Sequence, residues 1–595
     1  MAAPVPEKNS SQFVSLLSQL LSTNNSEKVI EIIQDKENKQ IIKDESWEIV
    51  RVACEYLTLD TYLKSRSLFN SCETVLEEIA RVALPEEALL EFLEQIESPD
   101  SDEKFSALLK PLQIVLLQLT KRKEQSLSWC LSTIKTYIKG VPIPENQNLE
   151  GNEKLLMDAD PNVQRINDLY SRISVFYKPF IENVAREVHG DIPEKEVIEK
   201  QRQLLISFLL HILEKPLVYL DLEWNSEGAK SSARVSAEEI VFCLGCIMPD
   251  VLMFLDYDGP INESSEEDDA EVSSNLDGSL HYFIREDKVP TMSLSVLYYL
   301  IFAEGLLQHL LPIVYDPVFV FRSCLHHASV LLKNPEVMIL KKGLLLSQAV
   351  IQKLPDKKIL SIELEHPSYR QFVDVLTHAM VYCGVEECRK LAGTIFKSFL
   401  FKFDTKGRYL LMCNLQKTVN HSGTLGYIIT LLKDMIRQEI AQKDLPNFFQ
   451  GKCLYDLVTG YCRLPNGAES DLVELADEII SALNLLRFLL LHDEKNETCI
   501  WDHIKSFEKG YFDPLREGLK LSRAHYKLKL RELSEERQKA PGKRSEVTIT
   551  VGCQQLPDVP YDQKVFLINS ALNAFDLMEC LLSHINECIE AKVSH

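Results

Sequence analysis

The sequence predicts an all-α protein, built as an α-solenoid of irregular HEAT- or armadillo-like helical repeats. Apolar residues recur at three- and four-residue steps through most of the 595 residues, which is the period of amphipathic helices. Glycine is scarce, with 21 residues or about half of the usual ~7% share, and hairpins and nucleotide-binding turns both consume glycine. Helix follows helix without intervening strands, at roughly forty residues per helical pair. A multi-domain helical bundle is the alternative, because no residue-level repeat accompanies this rhythm.

The periodicity predicts successive amphipathic helices, each of which buries one face and needs neighbours to cover it. In the segment after Asn420, the apolar stripe contains Leu425, Ile428 and Leu432, while Lys433 faces away. The last predicted helix keeps a near-heptad apolar rhythm. In chain order, the predicted helices span residues 11–22, 26–35, 40–58, 60–82, 85–97, 101–120, 124–139, 162–189, 195–214, 234–255, 291–311, 316–333, 335–354, 367–383, 386–402, 406–418, 421–442, 446–461, 468–491, 511–538 and 562–591.

One connection between helices is long. Residues 257–289 contain an acidic run from Glu263 to Glu271, whose like charges and lack of large apolar side chains cannot offset the entropy lost on ordering. We therefore expect a disordered acidic loop there, between N-terminal helical repeats over 1–256 and C-terminal HEAT-like repeats over 290–595. The strand-like run from Val547 to Val551 is expected either to pair with residues 554–559 as a small hairpin or to be simply extended.

Charge and cysteine usage exclude several classes of protein. With 65 basic and 88 acidic residues the net charge is −23, which disfavours nucleic acid and anionic membranes as partners. No run of eighteen apolar residues is uninterrupted, so no membrane span is expected. The N-terminus lacks the apolar core of a signal peptide, and the 15 cysteines are scattered singly. A reducing, cytoplasmic location is predicted.

The sequence lacks the motifs GxxxxGK[ST], GxGxxG, GxSxG and HExxH, so neither enzymatic activity nor a cofactor or metal is expected. Cys243 and Cys246 form a CxxC, but no second pair of zinc ligands lies nearby and the flanking residues are apolar, which predicts two buried thiols. A redox enzyme using this pair is a remote alternative. The neighbouring His326 and His327 point to different helix faces and cannot chelate one metal ion, so a structural or surface role is expected.

Residues 516–544 form the one basic segment of the chain. It is expected to meet an acidic partner or the acidic surface of the same chain, with a solvated helix face as the simpler alternative. Tyr526 is the one aromatic residue among these basic positions, so the segment is a weak signal for nucleic acid.

Several strings in the second half resemble the glomulin family of HEAT-like-repeat proteins. They occur in the family's order and at its spacing, and they are Asn420-His-Ser-Gly, Leu464-Pro-Asn-Gly-Ala-Glu-Ser-Asp-Leu, Ser481-Ala-Leu-Asn-Leu-Leu-Arg-Phe-Leu and Leu521-Ser-Arg-Ala-His-Tyr. Looser matches in the first half are Val29-Ile-Glu-Ile-Ile-Gln and Lys178-Pro-Phe-Ile-Glu. The resemblance extends over nearly the whole chain and is strongest in the C-terminal third.

This resemblance implies a non-enzymatic inhibitor of cullin-RING ubiquitin ligases. Such a protein binds the RING domain of the RING-box subunit and covers the surface where the ubiquitin-conjugating enzyme docks. The resemblance further implies the cullin, an immunophilin and the hepatocyte growth factor receptor as partners, and a role in vascular smooth-muscle development. A solenoid is compatible with this function, because it offers a long, rigid surface for capturing a small folded domain.

The resemblance implies that the RING-binding surface lies in the C-terminal repeats. There, Lys433 and Arg437 stand one turn apart on the outward side of a helix and are predicted to engage acidic or carbonyl groups of the partner, with a solvated helix face as the alternative. Asn420, His421 and Ser422 begin the same helix and are further predicted contacts, although Asn or Ser can instead cap the helix.

Three more residues complete the predicted contacts. Arg487 is expected either to line a groove or to form an intramolecular ion pair, and His525 and Tyr526 are expected either at the interface or half-buried. The rival function is a general HEAT-like scaffold or a transport or tethering adaptor that binds several protein partners along its length. An inner row of Trp and Asn residues would favour that rival, and the chain contains 4 Trp.

Overall fold

The computed structural model describes residues 8–145, 157–187, 195–224, 230–257, 282–283, 287–441, 447–493, 495–539, 550–551, 554–555 and 560–593. Over these residues the chain is helical, apart from one small hairpin and one isolated bridge between Ile359 and Phe403. It divides into two compact units, Met1–Val350 and Ile351–His595. Within each unit, helices pack mainly on helices one or two places away in the chain, as in an α-solenoid. The predicted fold class is confirmed.

Fifteen α-helices of the first unit lie within the described residues. They are α1 (Lys8–Ser22), α2 (Ser26–Gln34), α3 (Lys39–Asp44), α4 (Ser46–Glu55), α5 (Leu59–Lys64), α6 (Arg66–Val82), α7 (Pro85–Glu97), α8 (Asp102–Gln118), α9 (Lys123–Gly140), α10 (Pro161–Glu187), α11 (Lys195–Ile212), α12 (Ser232–Ile247), α13 (Thr291–Phe302), α14 (Pro317–Leu332) and α15 (Val337–Gln352).

The second unit contains the remaining elements. They are α16 (Pro367–Tyr382), α17 (Glu386–Lys402), α18 (Thr405–Thr418), α19 (Ser422–Ala441), α20 (Gly451–Tyr461), α21 (Ala476–His492), α22 (Ile504–Phe507), a π-helical turn (Glu508–Phe512), α23 (Asp513–Lys539), β1 (Thr550–Val551), β2 (Gln554–Gln555) and α24 (Tyr561–Val593).

Side chains that cap the first turn explain where several helices begin. The Asp316 carboxylate accepts a hydrogen bond from the backbone N–H of Val318 at 2.7 Å, and Pro317 is the first residue of α14. The Asp404 carboxylate accepts one from the N–H of Gly407 at 2.6 Å at the start of α18. Each such bond satisfies a backbone N–H that has no partner inside its helix.

The core of the first unit contains a buried arginine whose charge is fully paired. Arg234 on α12 is 1% exposed, and its guanidinium donates to the carbonyl of Leu222 at 2.7 Å and to the carboxylates of Glu238 and Glu304. The Tyr299 hydroxyl donates to the same Glu304 carboxylate at 2.7 Å. Because an unpaired buried charge costs several kcal/mol, this network connects α12 firmly to α13 and to the loop that follows α13.

The helices of the second unit form two layers. One layer contains α17, α19, α21 and α24, with α19 packed on α21 and α21 packed on α24. The other contains α16, α18, α20 and α23, which pair with the first layer through contacts such as α16 with α17 and α23 with α24. The hydroxyl of Tyr427 on α19 donates to the carbonyl of Gly393 on α17 at 3.0 Å, which joins those two helices within their layer.

The helices α19 and α21 approach each other closely at Gly426. A Cβ atom at this position would lie 2.8 Å from the carbonyl oxygen of Asp477 and 3.1 Å from the hydroxyl of Ser481. The Ser422 hydroxyl, about one turn before Gly426, accepts a hydrogen bond from the backbone N–H of Glu478 at 3.2 Å, and Glu478 lies three residues before Ser481. Since the contacts advance in the same direction along each helix, α19 and α21 are parallel with their first turns side by side.

Among the described helices, α24 is long and apolar enough to cross a membrane by length and composition alone. In the structure it packs along α21 and α23 instead. Its apolar positions that are buried in the unit are Ile568, Ala571, Phe575, Met578, Leu581, Leu582 and Ile585. Burial accounts for these apolar positions, while Phe566, Leu567 and Leu577 on the same helix are exposed.

The structure breaks some of the predicted helices. The segment predicted at 40–58 forms two helices, because Glu45 has a non-helical backbone conformation, and the segment at 60–82 is interrupted likewise at Ser65. The helix predicted at 291–311 ends at Phe302, since Gly305 and Leu307 adopt positive φ angles of 76° and 52°. The hairpin alternative for the strand-like run is confirmed at β1 and β2, which pair antiparallel.

Most of the predicted acidic loop at 257–289 lies outside the described residues. The residues that are described at its C-terminal side belong to the first unit. Phe283 is 1% exposed and packs edge-on against Phe254 with ring centroids 5.0 Å apart. The carboxylate of Asp287 accepts a hydrogen bond from Ser207 on α11 at 2.6 Å. These contacts anchor the chain shortly before α13 begins.

The prediction of two buried thiols is wrong for one member of the CxxC pair. Cys243 is buried, and burial raises the pKa of its thiol to about 12, whereas Cys246 is exposed. The two residues are three positions apart near the C-terminal end of α12, where only one face of the helix is covered. His327 is fully buried, and burial lowers its pKa to about 3, so its role is structural as expected.

We predict that Gly426→Ala destabilises the second unit by about 1–3 kcal/mol, because the added methyl group collides with the backbone of Asp477. A glycine-to-alanine change inside a helix ordinarily stabilises by about 1 kcal/mol, so the expected sign is reversed. Gly510→Ala is the matched control, since a Cβ atom there meets nothing within 4 Å. Thermal unfolding measures both variants, and an unchanged or raised melting temperature for Gly426→Ala would contradict this packing.

Candidate functional site

The parallel pairing of α19 and α21 brings two basic residues beside exposed apolar side chains. Lys433 and Arg437 follow Gly426 by seven and eleven residues, so they lie on the same face of α19, toward α21. Phe488 follows Ser481 by seven residues and lies on the matching face of α21. We call the surface formed by Lys433, Arg437, Asn484, Phe488 and Leu491 the α19–α21 surface.

The two basic residues of this surface have no intramolecular counter-charge among the described residues. Arg437 is exposed and Lys433 is half-buried, and the carboxylate beside them, that of Asp434, lies instead 4.0 Å from Lys397 on α17. Buried basic side chains elsewhere in the described chain, such as Arg234 and Arg408, donate hydrogen bonds to carboxylates or carbonyls. Lys433 and Arg437 therefore remain available to an acidic or carbonyl-rich partner.

The apolar part of the surface comes from α21. Leu491 is 48% exposed, and Phe488 is half-buried with its ring 4.5 Å from that of His492. Asn484 is also half-buried, and its amide donates to the carbonyl of Ile480. Aromatic and arginine side chains that are rimmed by polar groups are the usual anchors of protein interfaces.

Sequence reasoning missed Phe488 and Leu491. The helical period contained a signal for them. The buried stripe of α21 contains Ala482, Leu486 and Leu489, and Phe488 and Leu491 lie outside that stripe. Large apolar residues outside the buried stripe of an amphipathic helix indicate a second contact.

Two of the predicted contact residues at the start of α19 cap helices instead: His421 caps α19 and Ser422 caps α21. The Nδ1 atom of His421 accepts a hydrogen bond from the backbone N–H of Thr424 at 3.2 Å, so His421 caps the helix, not Asn420 or Ser422. The Ser422 hydroxyl accepts from the N–H of Glu478 and thereby caps the first turn of α21. Asn420 is exposed. These residues lie about 16 Å along the helix from Lys433, so their role in binding stays a separate prediction.

The structure does not bring the other three predicted contacts into the α19–α21 surface. Arg487 follows Ser481 by six residues, or about 240° around α21, so it lies off the face that meets α19. Its Nε atom is buried with no hydrogen-bond partner among the described residues. His525 is exposed on α23, in the other layer. Tyr526 is 8% exposed and packs edge-on against Phe575 of α24, with centroids 5.6 Å apart.

The first turn of α21 contains a buried carboxylate, that of Glu478. Glu478 is 3% exposed, and burial raises the pKa of its carboxyl, while Arg463 opposes this shift from 3.3 Å away. The Arg463 side chain is 42% exposed, so it reaches from solvent to neutralise an internal charge. Because the Glu478 backbone also binds Ser422, this ion pair supports the junction that sets the register of α19 on α21.

The part of the chain that the structure describes contains no group of three or more His, Cys, Asp or Glu residues arranged to hold a metal ion. Two arginines of the basic segment bind side chains of the same unit. Arg523 on α23 contacts Asp576 and Glu579 on α24 at 2.6 and 2.8 Å, and Arg516 donates to Asn586 at 2.6 Å. The predicted contact of this segment with the chain's own acidic surface is thus observed for Arg523, whereas the partner of Arg516 on α24 is a neutral amide.

Comparisons with known proteins find one family and two relatives along nearly the whole chain. The model of a family described as uncharacterised, YAP/Alf4/glomulin, matches residues 1–558. Glomulin of Mus musculus is 30% identical over 570 residues, which cover 95% of this chain and 91% of the relative. Glomulin of Homo sapiens is 29% identical over 581 residues, which cover 96% of this chain and 92% of the relative.

Two of the solved structures that match are importin beta and Kap121p. Importin beta, crystallised in a polyethylene glycol condition, is 12% identical, with 96% of this chain and 88% of that chain covered and a TM-score of 0.19. Kap121p is 11% identical, with 99% and 73% covered and a TM-score of 0.16. At these scores the chains do not superpose closely, and the likeness carries no argument about function.

We predict that Arg463→Gln destabilises the second unit by roughly 1–3 kcal/mol at neutral pH, because it leaves the Glu478 charge buried without a partner, discounted for the exposure of Arg463. The double variant Arg463→Gln/Glu478→Gln removes that charge and should recover most of the loss. Urea unfolding compares the variants, and a double variant as unstable as the single one would contradict the pairing.

The same pair gives an expected pH dependence. Burial raises the Glu478 pKa in the folded state, so folding favours its protonated form and stability falls as the pH rises above the ordinary value of 4.5 through the folded-state pKa. Glu478→Gln, which cannot titrate, should lose less stability than the native chain over that interval.

Proposed function

This chain belongs to the YAP/Alf4/glomulin family, and we propose that it is a non-enzymatic inhibitor of cullin-RING ubiquitin ligases. In this proposal it acts in the cytoplasm, binds the RING domain of the RING-box subunit, and prevents the ubiquitin-conjugating enzyme from docking. Binding alone accounts for the inhibition, and no turnover is involved. The cullin is expected to lie close to the same interface, and an immunophilin and the hepatocyte growth factor receptor stay predicted partners.

The observation that carries the proposal is the α19–α21 surface in the C-terminal unit. Its two cations lack intramolecular counter-charges among the described residues, and Phe488 and Leu491 beside them are only partly covered. A helical layer holds these side chains at fixed spacings, so little conformational entropy is lost when a small folded domain binds. A tight complex of this kind buries on the order of 1,600 Å².

Reconstituted ubiquitin-chain formation tests the function. A neddylated cullin-RING ligase is supplied with its conjugating enzyme, and the full chain is titrated into the reaction. We expect suppression that saturates near one chain per ligase, because each RING domain has one docking surface to cover. Raising the concentration of the conjugating enzyme should relieve the suppression, since the two proteins compete. Absence of suppression at micromolar excess would reject the proposal.

Charge reversal tests the site. We predict that Lys433→Glu combined with Arg437→Glu weakens capture of the isolated RING-box subunit by about tenfold or more, measured by calorimetry, because attraction becomes repulsion at the interface. Leu491→Glu should weaken it as well, through loss of the apolar contact. Lys417→Glu, an exposed lysine on α18 in the other layer, is the matched control and should bind as the native chain does. A shifted melting temperature for the α19 variant would instead assign these residues a structural role.

A further inference from the structure

The helix α23, the last in the layer formed by α16, α18, α20 and α23, has an apolar strip that no described element covers. Leu521 and Leu528 are 54% and 53% exposed, and Ala524 between them is exposed as well. The three residues follow a three-four heptad spacing, which places them in one line along about two turns of the helix. We call Leu521, Ala524 and Leu528 the α23 strip.

The strip faces away from the partner helix of α23. Tyr526 contacts Phe575 and so defines the side of α23 that meets α24. Ala524 and Leu528 stand two residues before and after Tyr526, about 160° and 200° around the axis, on the opposite side. Gly518 sits against the carbonyl of Ala468, 2.8 Å from where its Cβ would be, so the preceding repeat covers a different flank. The α23 strip is therefore distinct from the α19–α21 surface.

Basic side chains border the strip. Lys520, Lys527 and Arg531 are exposed and have no carboxylate within ion-pair distance among the described residues, although Arg516 and Arg523 of the same helix are paired. From Gly518 to Arg531 the helix contains no acidic residue, while the chain as a whole has a net charge of −23. Glu517 and Glu532 mark the ends of this basic stretch.

We infer that the α23 strip is a docking site for an amphipathic helix of another protein whose apolar ridge is flanked by acidic residues. The heptad spacing of Leu521, Ala524 and Leu528 matches the contact line of two packed helices, and Lys520 and Lys527 occupy the positions beside that line where paired helices exchange charges. The basic border selects an acidic partner over a basic one. This inference does not rest on the proposed function, because it concerns another helix and another layer.

A synthetic peptide provides the test on the full chain. The probe is a fluorescein-labelled helical peptide of about three heptads, with leucine on one line and glutamate on both flanks, and its partner peptide carries lysine on the flanks instead. Fluorescence anisotropy should show binding of the glutamate peptide, weakened about tenfold or more when the salt concentration is raised from low to several hundred millimolar. The lysine peptide should not bind.

Leu521→Glu combined with Leu528→Glu should abolish binding of the glutamate peptide and leave the melting temperature unchanged. Leu90→Glu on α7, a leucine that is 62% exposed in the first unit, is the matched control and should bind normally. Failure of the glutamate peptide to bind, equal binding of both peptides, or equal binding by the double variant would overturn the inference. A concentration-dependent dimer that the double variant abolishes would assign the strip to a second copy of the chain and would overturn it too.

Discussion

The close contact between the first turns of α19 and α21 fixes the geometry of the second unit. Only a residue without a side chain fits at Gly426, where the carbonyl of Asp477 fills the space that a Cβ would need. The Ser422 hydroxyl and the Glu478 backbone then hold the two helices in one register. From that register it follows, at a constant rise per residue, that Lys433 and Arg437 stand level with Phe488 and Leu491. The α19–α21 surface is thus a consequence of a packing contact about two turns away.

The pairing of charges separates structural from available side chains. A buried guanidinium must be neutralised, because desolvation of an unpaired charge costs several kcal/mol. Arg408 illustrates this, being 3% exposed and bonded to the carbonyls of Phe401 and Phe403 beside Glu439. In an acidic chain, a basic side chain with no carboxylate partner among the described residues indicates a binding surface where an exposed apolar side chain lies beside it. Both conditions are met on α19 and again on α23, which lie in different layers, so the two proposed binding surfaces share no residue.

Several features of the fold follow from local sequence, and part of the site does too. Apolar residues at helical spacing correctly located most helices, and the outward placement of Arg437 follows from the same period. Sequence did not show that His421 caps α19 or that Ser422 caps α21, because each bond depends on where a side chain or a second helix lies in space. Nor did it show that Tyr526 is covered by Phe575, which is 49 residues away along the chain.

By itself, the sequence determined the all-helical class, the amphipathic face of each helix and the absence of common catalytic motifs, since these depend on residue types and on spacing within one segment. The tertiary structure decided which neighbour covers each face. The helical period could not show that Cys246 is exposed, or that Phe488 and Leu491 stay partly exposed beside two cations with no counter-charge among the described residues. The burial of a side chain is set by elements contributed from elsewhere in the chain.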